Sequence, residues 1–103
     1  MCTSLYEPNE KLIKLYNNLE FAYLKKTEEI ETVSLDFFIK EQKIKFIDFI
    51  KIDIQGAELD VFQGGLSCLK KVLAIITEVE FIQLYKNQPL FGDVSAFLKK
   101  NNI

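Results

Sequence analysis

Carboxylates follow two apolar segments of the chain, and this is where the sequence could support chemistry. Asp53 ends the segment FIDFIKID (residues 46–53), and Glu80 follows the segment VLAIITEV (residues 72–79). Short runs rich in Ile, Val and Phe are typical of strands in a parallel sheet that is buried on both faces. A carboxylate at the end of such a strand can accept a proton from a ligand hydroxyl group or hold that group by a hydrogen bond.

Two more charged residues, Lys51 and Glu78, come two positions before these acids. Residues two apart share one face of a strand, so Lys51 can lie beside Glu78 if the strands are neighbours. Glu78 interrupts an apolar segment, and a buried carboxylate without a partner costs roughly several kcal/mol. The predicted Lys51–Glu78 ion pair, shielded from water, can serve either stability or catalysis.

The turn after the first segment contains Gln55 and Gly56, and Glu58 follows in the first turn of a predicted helix. Glu58 can act on a ligand or favour the helix dipole. Asp53 can likewise act on a ligand or close the turn through an Asx-type hydrogen bond. The residues themselves leave both alternatives open.

A helix is predicted between the two strands, because apolar residues recur at steps of three and four. Gly64 and Gly65 are expected to break or kink it. Strand, helix and strand form a βαβ unit with a right-handed crossover, so the fold class is α/β with parallel strands. Ligands bind beyond the carboxyl ends of such strands, which predicts one crevice for Asp53 and Glu80. The predicted centre of the core comprises Phe49, Ile50, Ile52, Leu73, Ile75 and Ile76.

The flanking segments predict three more helices and two short strands. Asn9 is expected to cap a helix that continues to Leu19, and Ser34 to cap one over residues 35–41. Asp93 is expected to cap the last predicted helix, which continues through Val94, Phe97 and Leu98. The strands are predicted over residues 21–24 and 29–33.

The composition limits the possible functions of this chain. It has 103 residues, 49% hydrophobic and 27% charged, with a net charge of −2 and no histidine. We expect one domain over residues 1–103, without a basic surface for nucleic acid or an apolar run for a membrane. Two cysteines without a CxxC pair favour a reduced, cytoplasmic protein. The lack of histidine excludes a Ser-His-Asp triad and His-ligated zinc within this chain, and no metal site is predicted.

The segments KIDIQGAELDVFQGG (residues 51–65) and TEVEFIQLY (residues 77–85) together resemble FkbM-type S-adenosylmethionine-dependent methyltransferases. TVSLDFF and LYEPN upstream are similar to shorter elements of that family. The resemblance therefore covers nearly the whole chain. It implies the C-terminal portion of the catalytic domain, a partial Rossmann-like sandwich with a mostly parallel sheet, flanking helices and truncation at both ends.

This resemblance implies methyl transfer from S-adenosylmethionine to a hydroxyl group of a sugar, lipid or natural product. Tyr85 and Phe91 would cover the acceptor, or else anchor their loop on the sheet. The catalytic candidates are Asp53, Glu80, Lys51 and Glu78, and the cofactor-binding candidates are Asp53, Gln55, Gly56 and Glu58.

One departure from the family concerns the glycine-rich loop that cradles the cofactor. The chain has four glycines, and none forms a GxG loop. We therefore expect the chain to be inactive alone and to work with a missing N-terminal half or as a homo-oligomer. Two alternatives remain: a non-enzymatic α/β remnant that binds a partner through its sheet edge, and a different nucleotide-binding α/β enzyme, disfavoured by the lack of a phosphate-binding loop.

Overall fold

The computed structural model describes residues 3–103, so Cys2 and its predicted unpaired state lie outside the described part of the chain. Within this range there are two strands, β1 (Phe49–Ile52) and β2 (Ala74–Thr77), together with a 3-10 turn at Glu20–Ala22. The helices are α1 (Glu10–Ile13), α2 (Leu35–Glu41), α3 (Glu58–Gly64), α4 (Leu66–Leu69) and α5 (Phe91–Lys100). None of these helices combines the length and the apolar character needed to cross a bilayer.

Strands β1 and β2 form a two-stranded parallel sheet, with α3 and α4 between them in sequence. Phe49 lies opposite Ala74, and Ile52 lies opposite Thr77. The predicted α/β class and βαβ unit are therefore confirmed. Both strands are shorter than predicted, with four residues each.

The predicted break in the connecting helix is confirmed at Gly65, which separates α3 from α4. A Cβ atom at Gly65 would lie 2.7 Å from Leu35 Cδ2 and 3.1 Å from the Val61 carbonyl oxygen. A side chain at this position would require Leu35 to move, so the glycine lets α2 pack closely against the break.

Helix α2 has the predicted bounds and the predicted cap. The Ser34 hydroxyl accepts a hydrogen bond from the Phe37 backbone N–H at 3.2 Å. Asp36, in the first turn of α2, reaches across to α4 and accepts hydrogen bonds from Ser67 N and Cys68 N at 3.0 and 2.9 Å. One helix thus caps the start of the other.

The core lies between one face of the sheet and helices α3, α4 and α5. Its buried members are Ile52, Phe62, Leu69 and Val94. Ile50 and Ile75 are partly buried against this cluster, as expected for the predicted core. The other three predicted core residues, Phe49, Leu73 and Ile76, are 52%, 84% and 55% exposed.

The prediction that both strands are buried on both faces is therefore wrong. Phe49, Lys51 and Ile76 define an exposed surface, here called the open sheet face. In residues 3–103 the core-forming helices pack on the opposite face. An apolar residue type indicates that burial is favourable, but it does not say whether an element is available to cover it.

Two predicted strands are absent from their places in the described chain. Residues 21–24 overlap the 3-10 turn Glu20–Ala22, and residues 29–33 have no regular structure. The apolar character of these segments was interpreted as strand periodicity. A strand also needs a neighbour for its backbone groups, and neither segment pairs with one.

The end of one predicted helix and the start of another are also corrected. Helix α1 ends at Ile13 rather than Leu19, and the Asn9 side chain donates to the Gln83 carbonyl oxygen instead of capping it. Helix α5 begins at Phe91, before Asp93. The Asp93 carboxylate still supports this helix, because it accepts a hydrogen bond from Leu90 N at 2.8 Å.

Residues 4–9, here called the N-terminal segment, lie across the loop that follows β2. Pro8 forms an antiparallel bridge with Tyr85. Lys86 N donates to the Glu7 carbonyl oxygen at 2.7 Å, and the Lys86 ammonium group lies 2.8 Å from the Glu7 carboxylate. Tyr6 extends the contact to α3 by donating its hydroxyl to Asp60 Oδ2 at 2.6 Å.

The Tyr6–Asp60 contact predicts a loss of stability at alkaline pH. The hydrogen bond to Asp60, with smaller contributions from burial and from nearby carboxylates, raises the pKa of Tyr6 from 10.0 to about 12. The folded state therefore favours the neutral phenol. This contribution is complete below pH 10, the unfolded value, and disappears as the pH rises through 12.

A tyrosinate absorbance titration tests this prediction. One of the four tyrosines should ionise late in the unmodified chain, and Tyr6→Phe should remove that late step. Tyr16→Phe is the control and should retain it. A late step that survives in Tyr6→Phe would show that another group causes it.

Candidate active site at the carboxyl edge of the sheet

Asp53 and Glu78 follow the two strands directly and lie opposite each other. The register pairs Ile52 with Thr77, so the next residues on the same edge are Asp53 and Glu78. Both are exposed. The Gln55 side-chain amide donates to Asp53 Oδ1 at 2.9 Å and to Glu78 Oε2 at 3.4 Å. Gln55 thus bridges two carboxylates that would otherwise repel each other.

The predicted Lys51–Glu78 ion pair is contradicted by this register. Lys51 lies opposite Ile76, two residue pairs further from the edge than Glu78. Both charged residues are exposed, and the ion pairs in residues 3–103 are Lys86–Glu7 and Lys26–Glu28. The water-shielded Lys51–Glu78 pair is therefore absent from the described structure.

Glu58 closes the turn between β1 and α3. Its carboxylate accepts hydrogen bonds from Ile54 N at 2.9 Å and from Gly56 N at 3.0 Å, and the residue is 2% exposed. The turn needs this support because Gln55 and Gly56 both have positive φ, 58° and 109°. The structural alternative for Glu58 is therefore supported by direct contacts. These contacts are to the turn before α3 and not to the helix itself.

Glu80 is half-buried beside the other acids of this edge. Burial raises the pKa of its carboxyl group most, and the negative charge of Glu58 raises it further. The Gln88 amide opposes this effect, and the charges of Glu78 and Asp53 add to it. Asp53 and Glu80 thus lie at the same edge of the sheet, close enough for the charge of Asp53 to raise the pKa of Glu80.

Two aromatic candidates lie near this edge in different environments. Tyr85 is buried, which favours its alternative interpretation as an anchor of the loop. Phe91 is exposed at the start of α5 and packs against Phe81, with ring centroids 5.4 Å apart. Its backbone N–H donates to the Glu80 carbonyl oxygen at 2.8 Å. Phe91 therefore borders the acidic edge.

Sequence reasoning missed Gln88, which is 1% exposed. Its Oε1 atom accepts a hydrogen bond from Tyr85 N at 3.1 Å, and its carbonyl oxygen accepts one from Gln83 Nε2 at 3.2 Å. A glutamine in the polar segment KNQP predicts an exposed loop. No feature of the sequence distinguishes it from a solvated side chain.

A βαβ unit with acids at the carboxyl edge of its strands belongs to the class of α/β proteins that bind ligands at that edge. The chain belongs to the FkbM methyltransferase family, because the family model described as "Methyltransferase FkbM domain" matches residues 6–102. This confirms the predicted family.

A curated relative points to the same chemistry. The chain is 42% identical over 59 residues to "2-O-methyltransferase NoeI" of Sinorhizobium fredii (strain NBRC 101917 / NGR234). The alignment covers 57% of this chain and 24% of that protein, so the chain spans only part of its relative. No solved structure matches the chain.

Proposed function

We propose that this chain supplies the acidic edge of an S-adenosylmethionine-dependent O-methyltransferase that acts on a hydroxyl group. The observation that carries the proposal is Glu80, a half-buried carboxylate whose pKa is raised by burial and by neighbouring acids. A general base works best when its pKa lies nearer the operating pH. Family membership supports methyl transfer as the reaction.

The residues at this edge suit a cationic cofactor. Asp53, Glu78 and Glu80 bring three carboxylates together, and none of them forms an ion pair with a lysine within residues 3–103. Gly56 is buried at the turn, where a Cβ atom would lie 3.0 Å from Gln88 Nε2, so the absence of a side chain lets Gln88 pack against the turn. Asp53, Gln55 and Gly56 would hold S-adenosylmethionine, which supplies an electrophilic methyl group on a sulfonium centre when bound.

The side chains of this edge divide the remaining tasks. Glu80 accepts the proton of the acceptor hydroxyl group as the oxygen of that hydroxyl group becomes the nucleophile. Asp53 accepts a hydrogen bond that orients the same group, and Phe91 with Phe81 shields it from water. Holding the reactants in line can contribute about 7–11 kcal/mol to catalysis.

The acceptor class is proposed from the relative. That protein is named a 2-O-methyltransferase, and we propose a hydroxyl group on a sugar, lipid or natural product for this chain. We further propose that residues 1–103 act in the cytoplasm as one unit, together with a glycine-rich methyltransferase portion supplied by another segment or subunit. The four glycines of this chain, none in a GxG loop, support that arrangement.

Calorimetric titration with S-adenosylhomocysteine tests the proposal. The 103-residue chain should bind this product weakly or not at all, and an N-terminally extended protein with a glycine-rich segment should bind it tightly. Sub-micromolar binding by the chain alone would contradict the first expectation. No binding by the extended protein would overturn the proposed function.

In that extended protein, Asp53→Asn should lower the turnover and leave the melting temperature nearly unchanged. The reason is that Asp53 is exposed and its carboxylate accepts a hydrogen bond from the side chain of Gln55, its neighbour in the turn, rather than from the core. Transfer of a labelled methyl group to a panel of monosaccharides and lipids measures the turnover. Glu41→Gln, an exposed change at the far end of α2, is the control and should keep full activity.

A second candidate function is supported by the open sheet face. Exposed Phe49 and Ile76 suit a non-enzymatic module that binds another protein through its sheet. In that case the extended protein would show no S-adenosylhomocysteine binding, and Asp53→Asn would have no activity to reduce. The same titration therefore separates the two candidates.

A further inference from the structure

The side chain of Gln88 is held in place by a hydrogen bond at one end of its amide, and the amide nitrogen at the other end is buried without a partner at hydrogen-bond geometry in residues 3–103. Its Oε1 atom is held by Tyr85 N at 3.1 Å, which sets the plane of the amide. Its Nε2 atom is buried and has no partner at hydrogen-bond geometry among residues 3–103. Leaving a buried donor unsatisfied is unfavourable, so a buried amide of this kind calls for a functional explanation.

The Nε2 atom lies against the turn that follows β1. It lies 3.0 Å from the position of a Cβ atom on Gly56, in the turn that Glu58 closes. It also lies near the carboxylate of Glu80, whose carbonyl oxygen is held by Phe91 N at 2.8 Å. The backbone of Glu80 and the amide of Gln88 are thus both fixed, which leaves the carboxylate between them to be oriented.

We infer that Gln88 is a positioning residue: its Nε2 donor, held over Gly56, orients the Glu80 carboxylate and keeps it able to accept a proton. This inference rests on the proposed function, because it assumes that Glu80 is the base. Gln88 itself contacts neither cofactor nor acceptor in this scheme.

The charges around Glu80 explain why a donor is needed there. Glu58 faces it from α3, Glu78 from the end of β2 and Asp53 from the end of β1. After burial, these negative charges raise the pKa of Glu80, and the Gln88 amide lowers it. Without the amide, Glu80 would keep its proton to a higher pH and could not accept another.

An NMR titration of the Glu80 carboxyl carbon tests the inference in the 103-residue chain. Gln88→Met keeps the approximate length of the side chain but removes the Nε2 donor together with the Oε1 acceptor of Tyr85 N. We expect the pKa of Glu80 to be higher in this variant than in the unmodified chain. Gln63→Met, an exposed glutamine on α3, is the matched control and should leave the pKa of Glu80 unchanged.

A second measurement needs no change at Gln88. The side-chain N–H₂ resonances of Gln88 should shift with the same midpoint as the Glu80 carboxyl carbon, and Glu80→Gln should abolish that shift. An equal Glu80 pKa in Gln88→Met and the unmodified chain would overturn the inference. Gln88 side-chain resonances that do not shift as Glu80 titrates would also overturn it.

These readouts separate the inference from the proposed function, because they require no methyl transfer. In an active extended protein, Gln88→Met should move the acidic limb of the kcat/KM profile to higher pH with little change in KM. If Gln88→Met shifts the Glu80 titration but the extended protein never binds S-adenosylhomocysteine, the Gln88–Glu80 contact is supported and the proposed methyltransferase function is overturned. An unshifted kcat/KM profile in an active protein would overturn the inference alone.

Discussion

Replacing Phe62 with alanine is expected to destabilise the fold by about 3–5 kcal/mol, the usual range for truncating a buried aromatic residue. Phe62 is 0% exposed and lies in the cluster with Ile52, Leu69 and Val94. It therefore connects α3 to the sheet, α4 and α5. A domain of this size has a stability of roughly 5–15 kcal/mol, so this one change removes a large share of it.

Urea denaturation measures the loss from Phe62→Ala. The control is Phe46→Ala, because Phe46 is the same residue type but 84% exposed. The control should change the stability by about 0.5 kcal/mol or less, as surface substitutions usually do. Equal losses for both variants would mean that the core is not centred on Phe62.

Glu58→Ala is expected to have the second large effect. The change leaves the N–H groups of Ile54 and Gly56 without their acceptor. An unsatisfied buried donor costs about 1–3 kcal/mol, so the loss should exceed that of an exposed change on the same helix, such as Gln63→Ala. The same variant removes a negative charge beside Glu80, and the pKa of Glu80 should fall.

The two readouts of Glu58→Ala support each other. Denaturation reports on the turn between β1 and α3, and the carboxyl titration reports on the acidic edge. A stable variant with an unchanged Glu80 pKa would show that Glu58 neither closes the turn nor faces the edge.

The correctly predicted features depend on neighbours in sequence. Ser34 caps α2 through a residue three positions later, and Gly65 breaks the helix at its own position. The βαβ unit follows from two apolar segments separated by a helical pattern. Each of these features is determined within a few residues, where propensity and spacing are informative.

The wrong predictions depend on how distant segments meet. A Lys51–Glu78 pair requires a register displaced by two residues from the observed one, and the sequence does not set that offset between parallel strands. Burial of the open sheet face required a covering element that residues 3–103 do not provide. Gln88 was missed because its burial depends on the turn at Gly56, which is distant in sequence, and on the way the loop folds back at Tyr85.

The N-terminal segment has a consequence for the order in which the chain folds. Its hydrogen bonds join residues 54, 74 and 79 positions apart, whereas the βαβ unit closes much shorter loops. Closing a longer loop costs more chain entropy, and contacts of high sequence separation slow folding. We therefore expect the sheet and α3 to assemble first and the N-terminal segment to dock last. Because this segment braces the loop that carries Gln88, the acidic edge reaches its final geometry only when nearly the whole length of the chain is in place.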